Sequence, residues 1–445
     1  MTTRFTFRRP LVAALLCACW LPVQAETTDL VEAYRAALAH DPTFAAAQAR
    51  RDAGLEQGEL ARSAQRPSVN AGGSLTRNHS DSRYSGTREF TSREWGVRLT
   101  QALYRRQNLI AVEQGDLNVR IARLELAAAE QDLALRVAQA YFDVLYALDV
   151  LDAIEQLMSS TARQLEFAQT SFDVGTVTIT DVHEARSRYD LASSQHIAAQ
   201  ADLDVRWQTF IELIGERPDA LARLRPGARF TAPDPTEAGP WVSAAEQNGY
   251  RVRIQSLVDE IAQREIDRVR AMRQPTVDLV ASVGQSWRQG GVRGRTDSAA
   301  VGVEVNIPVY TGGLIAARER ESLALQRNTA ATLDDTRRSA ALAARAAYLG
   351  VTSGLAQLIA LEAAERSSVS SLEANQLGLE VGVRINIDVL NAQAQLAQTR
   401  RDLARARYDT LLAQLRLKAE SGTLDEADLA EVNALLQDDL SRSAP

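Results

Sequence analysis

Residues 174–185 read VGTVTITDVHEA, and 207 residues later residues 381–392 read VGVRINIDVLNA. Each copy places Asp-Val six residues after the Gly and an Ala four residues after the Asp. The correspondence extends well beyond these turns. Pro67 matches Pro275, Gly96 matches Gly302, Tyr104 matches Tyr310, Ala140-Tyr141 matches Ala347-Tyr348 and Gly215 matches Gly422, at offsets of 206 to 208. Two copies of one unit of about 150 residues must fold into two similar substructures related by pseudo-symmetry. A Pro-rich segment at 217–240, RPDALARLRPGARFTAPDPTEAGP, joins them.

Each unit opens on alternating sequence. In the second, Val301, Val303, Val305, Ile307 and Val309 are interleaved with Gly302, Glu304, Asn306 and Pro308. Val277, Leu279, Ala281 and Val283 likewise alternate with Asp278, Val280, Ser282 and Gly284. Period two with one apolar face is the signature of a strand. The polar, Gly-rich stretch WRQGGVRGRTDS at 287–298 is expected to be the loop between them. The first unit repeats the scheme more weakly at 68–78 and 94–104. Two hairpins of a soluble sandwich would explain this pattern. Strands of about 10 residues with one apolar face also match an outer-membrane barrel. The smallest such barrel has about eight strands, so four membrane strands require several chains to share one barrel.

The period then changes. From Val137 a spacing of seven selects Val137, Val144, Leu151, Met158, Leu165 and Phe172, and three residues on, Ala140, Ala147, Ile154, Thr161 and Ala168. That is a coiled-coil seam with small residues on one side. No strong breaker interrupts 105–173, so a helix about 100 Å long is expected at ~1.5 Å per residue. Its counterpart runs over 314–380, and return helices follow near 180–214 and 387–420. Each Gly-centred turn is then the tip of a long helical hairpin. Gly175 and Gly382 suit the left-handed residue that ends a helix. Asp181, with Glu184 three residues on, reads as a capping box that starts the return helix. Local capping alone would account for Asp181 and Asp388.

The first 25 residues carry three arginines, an apolar run over 11–21 and a small-residue site ending at Ala25. They read as a secretory signal peptide, too short in its apolar part to span a membrane. A lipid anchor at Cys19 is the weaker reading, because Cys17 stands where such sites prefer a different small residue. Both cysteines lie in this segment, so the expected mature chain has neither disulfide nor thiol chemistry. Losing Arg4, Arg8 and Arg9 leaves 47 basic against 57 acidic residues, a net charge of −10. An acidic exported chain disfavours nucleic acid as a partner. No later apolar run is read as approaching the ~18–20 residues of a membrane helix.

The turn VGTVTITDVHEARSRYD, the segment AYFDVLYALDVLDAIEQ and the junction IPVYTGG closely resemble the TolC-like outer-membrane channel proteins. So does the ending VGVRINIDVLNAQAQLAQTRRDLARARYDTLLAQLRLKAESGTLDEADLAEVN. The resemblance covers essentially the whole chain after the signal, with both repeats in register. It implies a mixed α+β homotrimer in outer-membrane lipid. Four strands per protomer would form a twelve-stranded β-barrel, continuous with a long periplasmic α-helical coiled-coil tunnel. It also implies a periplasmic adaptor docking at the tips, Gly175 and Gly382, with an inner-membrane ABC or RND transporter beneath. Type I protein secretion and multidrug efflux are the expected functions, and heavy-metal efflux through an RND pump is the alternative.

By motif, the family's periplasmic gate falls on Arg384, Asp388, Thr180 and Asp181. Two gate positions depart from the family pattern. A second acidic ring residue becomes Asn391, leaving one carboxylate ring, and a Tyr three residues before the Gly becomes Leu379, removing one hydrogen bond from the closed gate. The division implied is a signal peptide at 1–25, an N-terminal equatorial and helical segment at 26–66 and a first barrel hairpin at 67–104. The first long helical hairpin takes 105–216, a Pro-rich equatorial linker 217–242 and a helix 243–273. The second barrel hairpin takes 274–311, the second helical hairpin 312–422 and a C-terminal equatorial tail 423–445.

Other classes fit less well. The four histidines, His40, His79, His183 and His196, have no zinc-ligand spacing, and neither a phosphate-binding Gly loop nor a G-x-S-x-G elbow is present. No catalytic residue, metal or cofactor is expected. A periplasmic coiled-coil adaptor also has long hairpins, but it carries one hairpin inserted in a lipoyl-like domain, whereas this chain has two related by a full-length repeat.

Overall fold

A computed structural model describes residues 27–437 except 85 and 290–293. The expected signal peptide with Cys19, and residues 438–445 of the tail, lie outside the described residues. The first half runs β1 (Thr27–Thr28), α1 (Leu30–His40), α2 (Pro42–Ser63), β2 (Ser68–Ser82), β3 (Gly86–Tyr104), α3 (Arg106–Asp173) and α4 (Ile179–Ile214). The short β4 (Ala220–Leu221), β5 (Arg223–Leu224) and α5 (Ala238–Asn248) follow. The second half has α6 (Tyr250–Ala271), β6 (Thr276–Gln289), β7 (Gly294–Asn306), α7 (Leu314–Glu380) and α8 (Asn386–Glu420), and α9 (Glu426–Asn433) and β8 (Leu436–Gln437) close the described chain. Helix, two strands, long helix and return helix thus recur in the same order.

The four long strands form one antiparallel sheet in the order β2-β3-β6-β7, so the two halves join in its middle through β3 and β6. The register aligns Val69 with Leu99, Leu99 with Ala281, and Ala281 with Val301. Since side chains alternate between faces, these residues share one apolar face, and among the described residues nothing covers it at Val301, which is 77% exposed. Among the described residues the outer edges of β2 and β7 have no strand partner.

The strands are longer than the alternation suggested. The expected loop at 287–298 is largely strand, with Trp287 paired to Arg295, and only 290–293 fall outside the described residues. In the first half the ladder continues to Ser82 opposite Gly86. A backbone ladder needs no apolar side chains, and polar cross-strand contacts sustain it here. Arg295 lies over the Trp287 ring at 5.9 Å, and Asn78 donates to Ser92 at 3.1 Å. At the other end β7 stops at Asn306, short of the expected Val309, where Pro308 has no N–H to pair.

The helices form a layer. Its upper part packs α2 on α3, α3 on α6 and α6 on α7, and its lower part packs α4 on α3, α3 on α8 and α8 on α7. Glycines set the spacing of α2 and α3: a Cβ on Gly54 would lie 2.4 Å from the Ala122 Cβ, and one on Gly115 would lie 2.7 Å from the Ala61 Cβ. In α3 the small series Ala140, Ala147, Ile154, Thr161 and Ala168 is buried throughout, whereas the large series passes from buried Val137 and Val144 to exposed Phe172. Around its middle, from Leu133 to Leu145, α3 is also covered by α1, but towards the tip only α4 and α8 remain, so the seam narrows to its small residues. One window of α7 proves long and apolar enough to cross a membrane by length and composition, contrary to expectation, yet only 11% of it is buried. Its exposed residues include Leu342, Leu349 and Ile359 on the open edge of the layer, and Leu191, Ile197 and Val205 are exposed on α4 at the other edge.

A belt of short elements crosses the layer. β1 pairs with β4 in parallel, and β5 pairs with β8 in antiparallel. The largest apolar core lies here, built from Leu30, Tyr34, Leu133, Tyr141, Phe210 and Leu411 among others. The repeated Ala-Tyr pairs anchor the belt. The Tyr141 hydroxyl donates to the Ala222 carbonyl at 2.7 Å, and its counterpart Tyr348 donates to the Thr236 carbonyl. The segment at 217–242 is therefore more than a linker, since it holds β4, β5 and the start of α5. The single helix expected at 243–273 is broken at Gly249, which has an extended ψ of 129°. A Cβ there would meet the Ala245 carbonyl at 2.7 Å. Between belt and sheet, Arg105 donates from Nε and Nη2 to the two oxygens of buried Asp278 at 2.8 and 2.6 Å, fastening the head of α3 to β6.

Candidate functional site: the hairpin tips

Both hairpins turn the same way. At the first, the Gly175 N–H bonds the Phe172 carbonyl at 2.9 Å and the Thr176 N–H bonds the Ser171 carbonyl at 2.9 Å. At the second, the Gly382 N–H bonds Leu379 at 3.1 Å and the Val383 N–H bonds Gly378 at 2.8 Å. These are paired Schellman bonds, which satisfy the last carbonyls of α3 and α7 and require a left-handed residue. Gly175 and Gly382 supply it with φ of 82° and 78°. Nothing lies within 4 Å of where a Cβ on either would stand, so both glycines face open space in the protomer.

The return helices start earlier than expected. Thr178, not Asp181, is the N-cap of α4, and Asp181 is its third residue. The Asp181 carboxylate reaches back to accept from the Thr178 N–H at 2.9 Å and from its hydroxyl at 2.7 Å. Both Thr178 and Asp181 are residue types that cap, three positions apart, and the chain uses them as partners. Thr180, which the family motif places in the gate beside Asp181, is exposed. Asp388 occupies the equivalent third position of α8, behind an Ile385 that offers no capping side chain. Its Oδ2 lies 3.6 Å from Arg384 Nη1. Both aspartates sit in a first helical turn, where the helix dipole favours negative charge. Among the described residues the Thr178–Asp181 and Arg384–Asp388 pairs make no hydrogen bond or ion pair with each other.

Other residues link the two hairpins inside one protomer. Arg188 of α4 donates from Nη2 to Asn391 Oδ1 at 3.0 Å. Gln164 of α3 donates to Asn386 Oδ1 at the start of α8. Between these bonds lies a small apolar cluster of Ala168, Ala185 and Leu390, with Leu165 and Val182 against it. Asn391, expected as a gate position that lacks the family's carboxylate, is also an acceptor that joins α8 to α4. Gly378 also has a part: a Cβ there would stand 2.5 Å from Arg384 Cγ, so its bareness lets the arginine stem lie along α7. Arg188, Gln164, Asn386 and Gly378 carry no local sequence signal of this kind. Their partners are either far away in the chain or defined by the turn geometry.

The family model described as outer membrane efflux protein matches residues 33–216 and 241–423, one stretch in each half. The outer membrane protein TolC of Vibrio cholerae is 30% identical over 415 residues, covering 92% of this chain and 94% of that protein. The alkaline protease secretion protein AprF of Pseudomonas aeruginosa is 29% identical over 418 residues, covering 91% of this chain and 86% of AprF. Among solved structures, the outer membrane protein VceC from Vibrio cholerae superposes with a TM-score of 0.75 at 18% identity, covering 88% of this chain and 96% of that one. At that identity the match speaks for the fold. Sequence and fold agree, and this chain belongs to the outer membrane efflux protein family, as an outer-membrane protein that extends into the periplasm.

Proposed function

We propose that three copies of this chain form the exit duct of a tripartite export system. The observation that carries this reading is the open four-stranded sheet. In hydrocarbon every unpaired backbone group costs several kcal/mol, and among the described residues the outer edges of β2 and β7 have no strand partner. Joining β7 of one copy to β2 of the next removes both edges, and three copies give a twelve-stranded barrel, within the range of closed membrane barrels. The uncovered apolar face then meets lipid. The apolar edges of the helix layer, α7 and α4, are brought together by the same rotation and continue the tube into the periplasm for about 100 Å at ~1.5 Å per residue.

The hairpin tips lie at the far end, where Gly175 and Gly382 present six bare turns for a periplasmic adaptor. Arg384, Asp388, Thr180 and Asp181 form the gate ring, and Asn391 holds α8 to α4 behind it. AprF is named a protease secretion protein, which supports type I secretion with an inner-membrane ABC transporter, the transporter selecting the cargo. The test is assembly and conduction together. Protein extracted from outer membranes in mild detergent should sediment as a trimer and open channels in planar bilayers. A monodisperse monomer, or a trimer that never conducts, would overturn the proposal.

A further inference from the structure

Where α6 begins and α8 ends, a groove of about 690 Å³ opens between α3, α6, α7 and the end of α5. Its wall holds four guanidinium groups, Arg120 and Arg123 from α3, Arg253 from α6 and Arg337 from α7, against one carboxylate, Glu246 of α5. None of the four arginines is in an ion pair among the described residues. Their neighbours are: Arg264 of α6 pairs with Glu113 at 3.0 Å, and Arg338 of α7 with Asp334 at 2.7 Å. Arg253 instead stands over the Tyr250 ring, 5.8 Å from its centroid. A chain with an expected mature charge of −10 therefore gathers unpaired positive charge in one concave place. Guanidinium forks match carboxylates and phosphates bidentately, and the volume falls within the ~300–1,000 Å³ of ligand sites.

Depth decides which anion. From Arg253 to Ala271, the end of α6 next to the barrel, is 18 residues, about 27 Å at ~1.5 Å per residue. Lipid phosphates at the membrane surface are several Debye lengths away at ~8 Å each. The side of the layer follows from α5, which packs on α6 and α7 and contributes Glu246 and Gln247 to the groove. The groove thus opens on the face that carries α5, and docking to the wall requires that face to be the outer wall of the trimer proposed above. We infer that this groove docks the carboxylate-bearing peptide branches of the cell-wall polymer through which a periplasmic tunnel passes, fastening the duct to the wall.

The experiment uses purified trimer in mild detergent and insoluble wall sacculi, with bound protein measured after sedimentation. Channel conductance is recorded from the same preparation. Wild type should co-sediment at low salt and be released as salt rises. The variant carrying Arg120→Gln, Arg123→Gln, Arg253→Gln and Arg337→Gln should bind at least ten-fold more weakly, yet still form trimers and conduct as wild type. Sacculi whose carboxylates have been converted to amides should show the same loss with the wild-type protein. If the quadruple variant sediments as wild type, or amidated sacculi bind equally well, the inference is wrong. If the variant keeps sacculus binding but no longer co-purifies with the adaptor, the groove serves a protein and the inference is again wrong. Loss of conductance by the wild type itself would instead count against the duct. Should the quadruple variant fail to assemble, the Arg120→Gln, Arg123→Gln pair must show at least a three-fold loss of binding with trimers intact, and an unchanged affinity overturns the inference.

Discussion

Arg384 and Asp388 straddle the start of α8 as an i,i+4 pair, 3.6 Å apart, with side chains 57% and 33% exposed. A pair of that kind is worth about 0.3–0.5 kcal/mol. If this were its whole role, Arg384→Ser would leave conductance unchanged. The proposed gate asks more of it. Asp388 repeated three times round a constriction needs compensating donors, and charged hydrogen bonds between protomers contribute ~1.5–3 kcal/mol each. Three of them would hold the tunnel shut. Arg384→Ser is therefore expected to raise single-channel conductance in planar bilayers without weakening the trimer. Asp388→Asn should lower cation preference, because Asn391 leaves no second acidic ring. Wild-type conductance and selectivity in both variants would reduce the pair to a helix cap. A second residue-scale prediction concerns the belt. Burial pushes the Asp149 carboxyl above its ordinary range, with the Tyr408 hydroxyl, donating at 2.7 Å, and the Arg223 charge opposing without offsetting it. A carboxyl raised in the folded state favours folding while protonated, and that contribution fades as pH rises from the ordinary carboxylate value through the raised one. Asp149→Asn keeps an acceptor for Tyr408 and carries no charge. It should raise the melting temperature at pH 7 by a few degrees, with the gain gone near pH 4, and an equal gain at both pH values would show that charge is not the cause.

At the scale of elements, the tips separate turn geometry from docking. Gly382 has φ of 78°, and a Cβ there would meet nothing within 4 Å. Gly382→Trp thus costs only the left-handed strain, ~1–2 kcal/mol, and trimers should still form. Export should be lost, since the ring occupies space that a partner needs; normal export by this variant would mean that the adaptor docks elsewhere. These turns were legible in the sequence because Gly punctuates two long helical periods, and α7 has the same ends, Leu314 and Glu380, that the pattern suggested. The outer ends of the strands were not. Beyond the apolar band both faces turn polar, as at Arg88 and Glu89, so alternation vanishes while the ladder to Ser80 and His79 continues. The N-cap of α4 was misplaced by three residues because Thr178 and Asp181 are both capping types. The links that join the hairpins were out of reach for a different reason. Arg188 and Asn391 are 203 residues apart, and Gln164 and Asn386 are 222 apart, so no local pattern connects them.

At the scale of the whole molecule, the sheet order β2-β3-β6-β7 joins the two repeats in the middle and, among the described residues, leaves the outer edges of β2 and β7 unpaired. The half-and-half construction of the chain therefore does not close on itself. If barrel and tunnel are completed by neighbours, as proposed, this has a consequence for inheritance. In the proposed trimer, any copy that folds well enough to offer its edges will be built in, whatever the state of its tip. A cell making equal amounts of wild type and Gly382→Trp should then have only about one trimer in eight composed wholly of wild-type chains, if copies mix at random around the symmetry axis. Export in such a cell should fall towards that fraction if one blocked tip suffices to prevent docking, making the variant dominant. Removing the edge as well, by deleting β7 from the same variant, should make it recessive, because a copy that cannot be joined cannot spoil its neighbours.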